Sequence, residues 1–352
     1  MKQVRENASF LWRRDPRFVL FGLAGNQTSW RGLSLLALVF LGSLVLAAAL
    51  LPFAYRALES WDAGYNSQAA HLLLSRGANN FFDLLRWVPI LVGLPWVMRA
   101  CQLWSLSALG LGRSGFVHHR WVPGFAAGVV LVAVLAAGQL SFGATAIAPR
   151  ESLSFLHILK WISISLALGG VVAIIEEAVF RGFILRAFYS ATRYPWFALA
   201  LSAAFFAYTH FKIPTGEWTK VGQVQWQTGW LDAYWMLVGI AVEFDFRRFL
   251  ALWLLGLLLG ALTLRAHALW PAVGLHGGLV FGMLMYHDLA RSLAPSSFWG
   301  TTALIDGWAT PATLGLFLLG VILERPRRTV NSLVGREQLE MRAKADVMKA
   351  VL

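Results

Sequence analysis

The chain has 352 residues, 58% of them hydrophobic and 14% charged, with a mean hydropathy of +0.60. That composition excludes a water-exposed surface, so lipid must act as solvent for most of the chain. The net charge of +12 does not indicate a nucleic-acid binder, because the basic residues gather at the two ends and in short loops, as a topology signal does. The single Cys101 excludes an internal disulfide.

Residues 1–32 form a basic segment carrying Lys2, Arg5, Arg13, Arg14 and Arg17, and no cleavable signal peptide is visible in it. A span needs roughly 20 mostly apolar residues. Such runs fall near 33–55, 80–98 and 122–142, giving an N-terminal membrane region over 33–154. A second region, 155–288, holds runs near 155–176, 196–212, 248–265 and 268–288. A loop and one short run near 310–324 fill 289–324, and a basic tail occupies 325–352. Eight spans place Arg99, Arg113, Arg120, Arg193 and Arg265 on one side with both termini, and the bias of basic residues makes that side cytosolic. The expected protein is therefore all-α, with about eight transmembrane helices in the inner (cell) membrane. The stretch 229–245 carries Asp232, Glu243 and Asp245 and is expected to be an interfacial or re-entrant helix. Gly169 and Gly170 are expected to kink or split the run 155–190.

Polar residues inside apolar runs carry the functional signal, since an ionisable group at the bilayer centre costs roughly 2.5–3.5 kcal/mol on insertion scales. In the run Val171–Arg181, Glu177 and Arg181 share a helix face at i and i+4, while Glu176 points about 100° away. Arginine can neutralise one carboxylate and leave the other free for chemistry. His210 follows Arg193 by 17 residues and Glu176 precedes it by 17, so the two stand at equal depth if the chain turns there. His276 lies nearer its own turn, and a tilted or broken helix must bring it level. A lone histidine in a span is commonly a helix–helix hydrogen-bond partner. Three such residues at reachable depth call for a common purpose. His267, beside Arg265 in a turn, and His118 with His119 in a basic loop read as interfacial. Gly274, Gly277 and Gly278 either permit close helix packing or leave room for a substrate backbone.

These residues resemble the motifs of the CPBP intramembrane proteases, the family of CAAX proteases and bacteriocin-processing enzymes also called Abi. Glu176, Glu177 and Arg181 match EExxxR, and Phe206 and His210 match FxxxH. His276 opens the third motif, HxxxN, but Val280 stands where the family often has asparagine, so that side-chain donor is absent or replaced. The resemblance implies a CPBP-like helical core over 155–288, a cavity open to the cytosol or the membrane, and hydrolysis of a peptide bond in a membrane-anchored protein or peptide. It implies Glu176, Glu177, His210 and His276 as catalytic residues, with Arg181, Phe206 and Val280 in support.

Two chemistries use the same side chains. Without a cofactor, Glu176 activates water and the histidines donate hydrogen bonds to the water and the oxyanion. Alternatively Glu176, His210 and His276 hold zinc. The metal-free form is preferred because the first motif lacks the HExxH arrangement that places two ligands and a base on one helical turn. A non-catalytic, immunity-type binding or scaffold protein of the same fold is a third reading, supported by Val280. A transporter is disfavoured by the lack of paired repeats with interrupted helices.

Overall fold

The structure is a computed structural model that describes residues 28–74, 77–100, 106, 109–112, 118–149, 154–192, 194–211, 224–242, 244–266, 268–294 and 296–324. The basic N-terminal segment up to Gln27, the tail from Arg325, and Arg113, Arg193, Glu243 and His267 lie outside the described residues. So does most of the polar stretch that follows His210.

In chain order the elements begin with α1 (Thr28–Tyr65), α2 (Gln68–Leu74), α3 (Ala78–Ala100), α4 (His118–Ser141) and β1 (Thr145–Ile147). Then come α5 (Phe155–Glu177), a π-helical segment (Ala178–Ile184), α6 (Leu185–Thr192) and α7 (Pro195–Thr209). The series closes with α8 (Thr228–Val242), α9 (Phe246–Ala266), α10 (Trp270–Leu289), β2 (Ala290–Ser292) and α11 (Ala309–Leu323). The architecture is thus that of an all-α polytopic membrane protein. Among the described residues, five helical stretches are long and apolar enough to cross a membrane: Gly32–Tyr65, Phe81–Ala100, Trp121–Ser141, Phe155–Tyr189 and Phe246–Ala266. α7 and α11 are apolar but shorter. The expected count of eight is therefore not reached on length and composition alone. Their outer faces carry exposed Leu38 and Phe53 on α1, Val92 and Trp96 on α3, and Leu156 and Leu168 on α5. Apolar exposure on this scale suits contact with lipid.

α10 occupies the centre. Its residues from Ala272 to Leu279 are all buried, glycines included, as expected of a helix enclosed on every side. The enclosure depends on absent side chains. A Cβ on Gly124 would lie 3.0 Å from the Leu275 nitrogen, and one on Gly128 would lie 2.7 Å from that of Leu279. From the other side, a Cβ on Gly274 would lie 3.0 Å from the Phe125 nitrogen. α4 and α10 therefore touch backbone to backbone, and Gly169 on α5 meets Gly277 in the same way. Of the two roles open to the α10 glycines, close packing is the one seen for Gly274 and Gly278.

Gly169 and Gly170 do not break their helix. α5 runs through both without interruption, and the irregularity falls at the π-helical segment immediately after Glu177. Gly169 admits the α10 backbone, and its missing side chain serves packing instead of bending. Most of the stretch 229–245 falls in α8 (Thr228–Val242), a 15-residue helix packed along α1, with Gly229 against Ala48. His118 and His119 open α4 instead of lying in a loop.

One end of the bundle is stapled. β1 pairs antiparallel with β2, Ala146 opposite Arg291, so the chain after α4 is joined to the chain after α10. Beneath this ribbon the buried Gln139 donates from Nε2 to the carbonyls of Trp299 and Thr301 at 2.6 and 2.7 Å. Its Oε1 accepts from Tyr286 at 2.8 Å, and the Tyr286 hydroxyl pairs with Thr145 at 2.7 Å. Every polar atom of the buried Gln139 amide is thereby satisfied, as a low-dielectric interior requires.

Candidate active site

Glu177 is the most enclosed residue of the site, its side chain fully buried. It sits on the last turn of α5, and Arg181 stands one turn further on inside the π-helical segment. Arg181 Nη1 donates to Glu177 Oε1 at 2.8 Å, and Nη2 donates to the Gly256 carbonyl of α9 at 3.3 Å. Its guanidinium lies over the Phe206 ring at 4.6 Å. A buried cation thus has a counter-charge, a carbonyl and an aromatic face, which together offset its desolvation.

The π-helical segment loosens the backbone where the pair is formed. Its Phe180 carbonyl accepts from the N–H of Leu185 and from the Ser202 hydroxyl at 3.3 Å, tying the segment to α7. π turns are rare and occur mostly at functional sites.

His276 on α10 reaches the same carboxylate oxygen as Arg181, with Nδ1 2.8 Å from Glu177 Oε1. His210 caps the end of α7, and its Nδ1 lies 2.8 Å from the Phe206 carbonyl. A carbonyl and a carboxylate can only accept, so both rings donate from Nδ1. In the neutral rings both Nε2 atoms therefore carry lone pairs. With Nδ1 donating, each ring can donate to water or oxyanion from Nε2 only after taking up a second proton.

Both Nε2 atoms face Glu176. Its Oε2 lies 3.9 Å from His210 Nε2 and 3.8 Å from His276 Nε2, and it is buried without a hydrogen-bond partner. Three acceptors thus face one another. Access is unequal: the side chains of His210 and Glu176 are 31% and 19% exposed, that of His276 only 5%. The open side of the site is the His210 side.

Phe206 supplies the floor. Its ring stacks on Arg181, sits 4.5 Å from the His210 ring and meets His276 edge-on at 6.1 Å. The structure thus brings together Glu176, Glu177, Arg181, Phe206, His210 and His276, all singled out in the sequence. Val280, one turn beyond His276, is half-buried on α10. The gap in depth foreseen for His276 is closed, since both His276 and His210 approach one oxygen of Glu176. Reading by motif missed Gly256, whose carbonyl holds Arg181, and Arg248, which binds the backbone of His210. A glycine and a surface-type arginine at a helix start give no sequence signal of such roles.

The donor types of Glu176, His210 and His276 suit zinc, and both histidines have the Nδ1 partners typical of metal-bound imidazoles. Their spacing suits it less. Tetrahedral zinc ligands stand about 3.3 Å apart, against 3.8 and 3.9 Å here. Among the described residues no group of three or more His, Cys, Asp or Glu side chains is arranged to hold a metal ion.

Residues 158–282 match the family model described as type II CAAX prenyl endopeptidase Rce1-like. That segment is a domain of the CPBP family, and it spans α5 to most of α10. No curated protein and no solved structure matches the chain.

Proposed function

With an Rce1-like domain over 158–282 as the premise, we propose that the protein is an intramembrane endopeptidase. It hydrolyses a peptide bond in a membrane-associated protein or peptide, with Glu176 as general base. The observation that carries this reading is the convergence of His210 Nε2 and His276 Nε2 on Glu176 Oε2. These three acceptors need a donor among them, and a water molecule brings two O–H groups to the point they share. Glu176 would take its proton as the oxygen attacks the carbonyl carbon, and would return it to the leaving amine. A ring protonated at Nε2 from solvent before the attack would be the N–H donor that the developing oxyanion needs. Glu177, fixed by Arg181, sets the orientation and tautomer of His276, the part that a buried carboxylate plays in other catalytic constellations. Val280 supplies no donor, so the burden falls on the rings and on backbone N–H groups.

A zinc-dependent version of the same protease is the second reading, favoured by the inward lone pairs of both Nε2 atoms. A bound zinc would be held by Glu176, His210 and His276 and would supply an acidified water. The basic loops further support a multi-pass arrangement in the cell membrane with both termini cytosolic.

One experiment tests these readings together. Full-length protein in detergent is incubated with a panel of membrane-anchored peptides, with and without chelator, beside Glu176→Gln. Chelator-resistant cleavage that Glu176→Gln abolishes is the expected result. Cleavage lost with chelator and restored by zinc selects the second reading. Equal cleavage by wild type and Glu176→Gln, or none by folded wild type, overturns both.

A further inference from the structure

His210 stands on a helix end that is not regular. Its N–H reaches the carbonyls of Ala207 and Tyr208 and not that of Phe206, four residues back, which side chains reach instead. Two take it: the His210 ring from Nδ1 and Thr209 from Oγ1, each at 2.8 Å. The ring has thus replaced a backbone N–H, which requires the last turn of α7 to tighten. A helix end also leaves its final carbonyls without intrahelical partners. The His210 carbonyl is one of these, and Arg248 takes it from Nη2 at 2.7 Å.

Arg248 is itself fixed. It lies on the first turn of α9, where Asp245 Oδ1 accepts from the N–H groups of Arg247 and Arg248 at 2.9 and 3.4 Å. Its guanidinium covers the Phe211 ring at 5.2 Å. With this bond in place, the N–H, carbonyl and Nδ1 of His210 are all engaged, and only Nε2 faces Glu176.

We propose that Arg248 is a positioning residue for His210: its hydrogen bond to the His210 carbonyl holds the tightened end of α7, and with it the aim of Nε2 at Glu176. The inference rests on the endopeptidase reading for its effect on turnover, but not for its effect on the ring. Arg248 lies outside the three motifs, on a helix that carries none of them, and its hydrogen bond to the site is to backbone. Misplacing a reacting group by about 1 Å costs on the order of 100-fold in rate, which sets the scale expected.

The test uses full-length protein in detergent with a membrane-anchored peptide, comparing wild type, Arg248→Met and Arg248→Lys. Arg248→Met is expected to lower kcat by about 10- to 100-fold, with KM held within about threefold, and Arg248→Lys to recover most of kcat. A second measurement is independent of cleavage: 15N NMR of histidine-labelled protein, with His210 assigned by His210→Gln. Wild type and Arg248→Lys should give the fixed Nδ1–H tautomer at His210, and Arg248→Met an averaged one. Should Arg248→Met not fold, Arg248→Gln replaces it in both measurements. Unchanged kcat in a folded variant, a rise in KM with kcat intact, or an unaltered His210 signal overturns the proposal. If wild type cleaves no peptide, the endopeptidase reading fails, and the NMR comparison still decides the role of Arg248.

Discussion

Gly278 of α10 lies directly against the Phe125 carbonyl of α4, with no room for a side chain between them. Phe125 is outside the Rce1-like segment and Gly278 inside it, so the N-terminal helices contribute a wall to the helix that carries His276. Gly278→Ala should force the two backbones apart, at a cost of about 1–3 kcal/mol for overpacking. Gly170→Ala is the control, because nothing lies within 4 Å of a Cβ there. Thermal unfolding in detergent should separate the two variants, and equal midpoints would contradict the contact.

Glu176→Gln should abolish cleavage while leaving yield and melting temperature near wild type. The substitution keeps shape and removes a charge that no lysine or arginine among the described residues pairs with directly. Residual turnover above a tenth of wild type, an order-of-magnitude threshold for loss of a general base, would place the base elsewhere.

Glu177→Gln and Arg181→Met should each cost about 3–5 kcal/mol, since each leaves its partner charged and buried. Combining the changes should restore part of the stability, because neither buried charge is then left without its partner. It should not restore activity, as the Nδ1–H of His276 would face a neutral amide oxygen in place of the carboxylate. A double-mutant cycle on melting temperature and kcat would reveal this split. Full recovery of both in the double variant would reduce the pair to a structural role.

Asp245 offers a test by pH. Burial opposes its charge, but hydrogen bonds from the Arg247 guanidinium and from the N–H groups of Arg247 and Arg248 outweigh that and hold the carboxyl below its ordinary value of 3.8. Because the folded value is the lower one, its contribution is complete above the ordinary range and is lost as pH falls through the folded value. The effect is modest for a group this open to solvent. Melting of wild type should therefore decline more steeply below about pH 4 than melting of Asp245→Asn, and parallel curves would contradict the assignment.

The sequence exposed the site well because its cost was visible residue by residue: two carboxylates, an arginine and two histidines stand in runs that otherwise avoid charge. Equal spacing of Glu176 and His210 about Arg193 already placed them level. The helices followed from apolar length, and Pro195 stands at the first position of α7. What could not be read was backbone. The π turn at 178–184 has no side-chain signature, and glycine pairs look alike whether they bend a helix or admit another. Nor does a motif announce that a carbonyl, at Gly256 or His210, is the group being held. The tautomers likewise emerge only once the partners of both Nδ1 atoms are known.

The amide of Gln139 bonds to two carbonyls more than 150 residues away in sequence, at Trp299 and Thr301. Neither partner lies in the stretch that matches the family, yet together they close the end from which α4 and α10 leave the bundle. For anyone cutting the gene, the consequence is practical. A fragment limited to residues 158–282 would lack α4, Gln139, Tyr286 and both strands of the ribbon, and would present the bare glycine face of α10 to detergent. A unit that keeps these contacts begins before α4 and extends past Thr301, so the segment that matches the family model is packed into flanks that lie outside it.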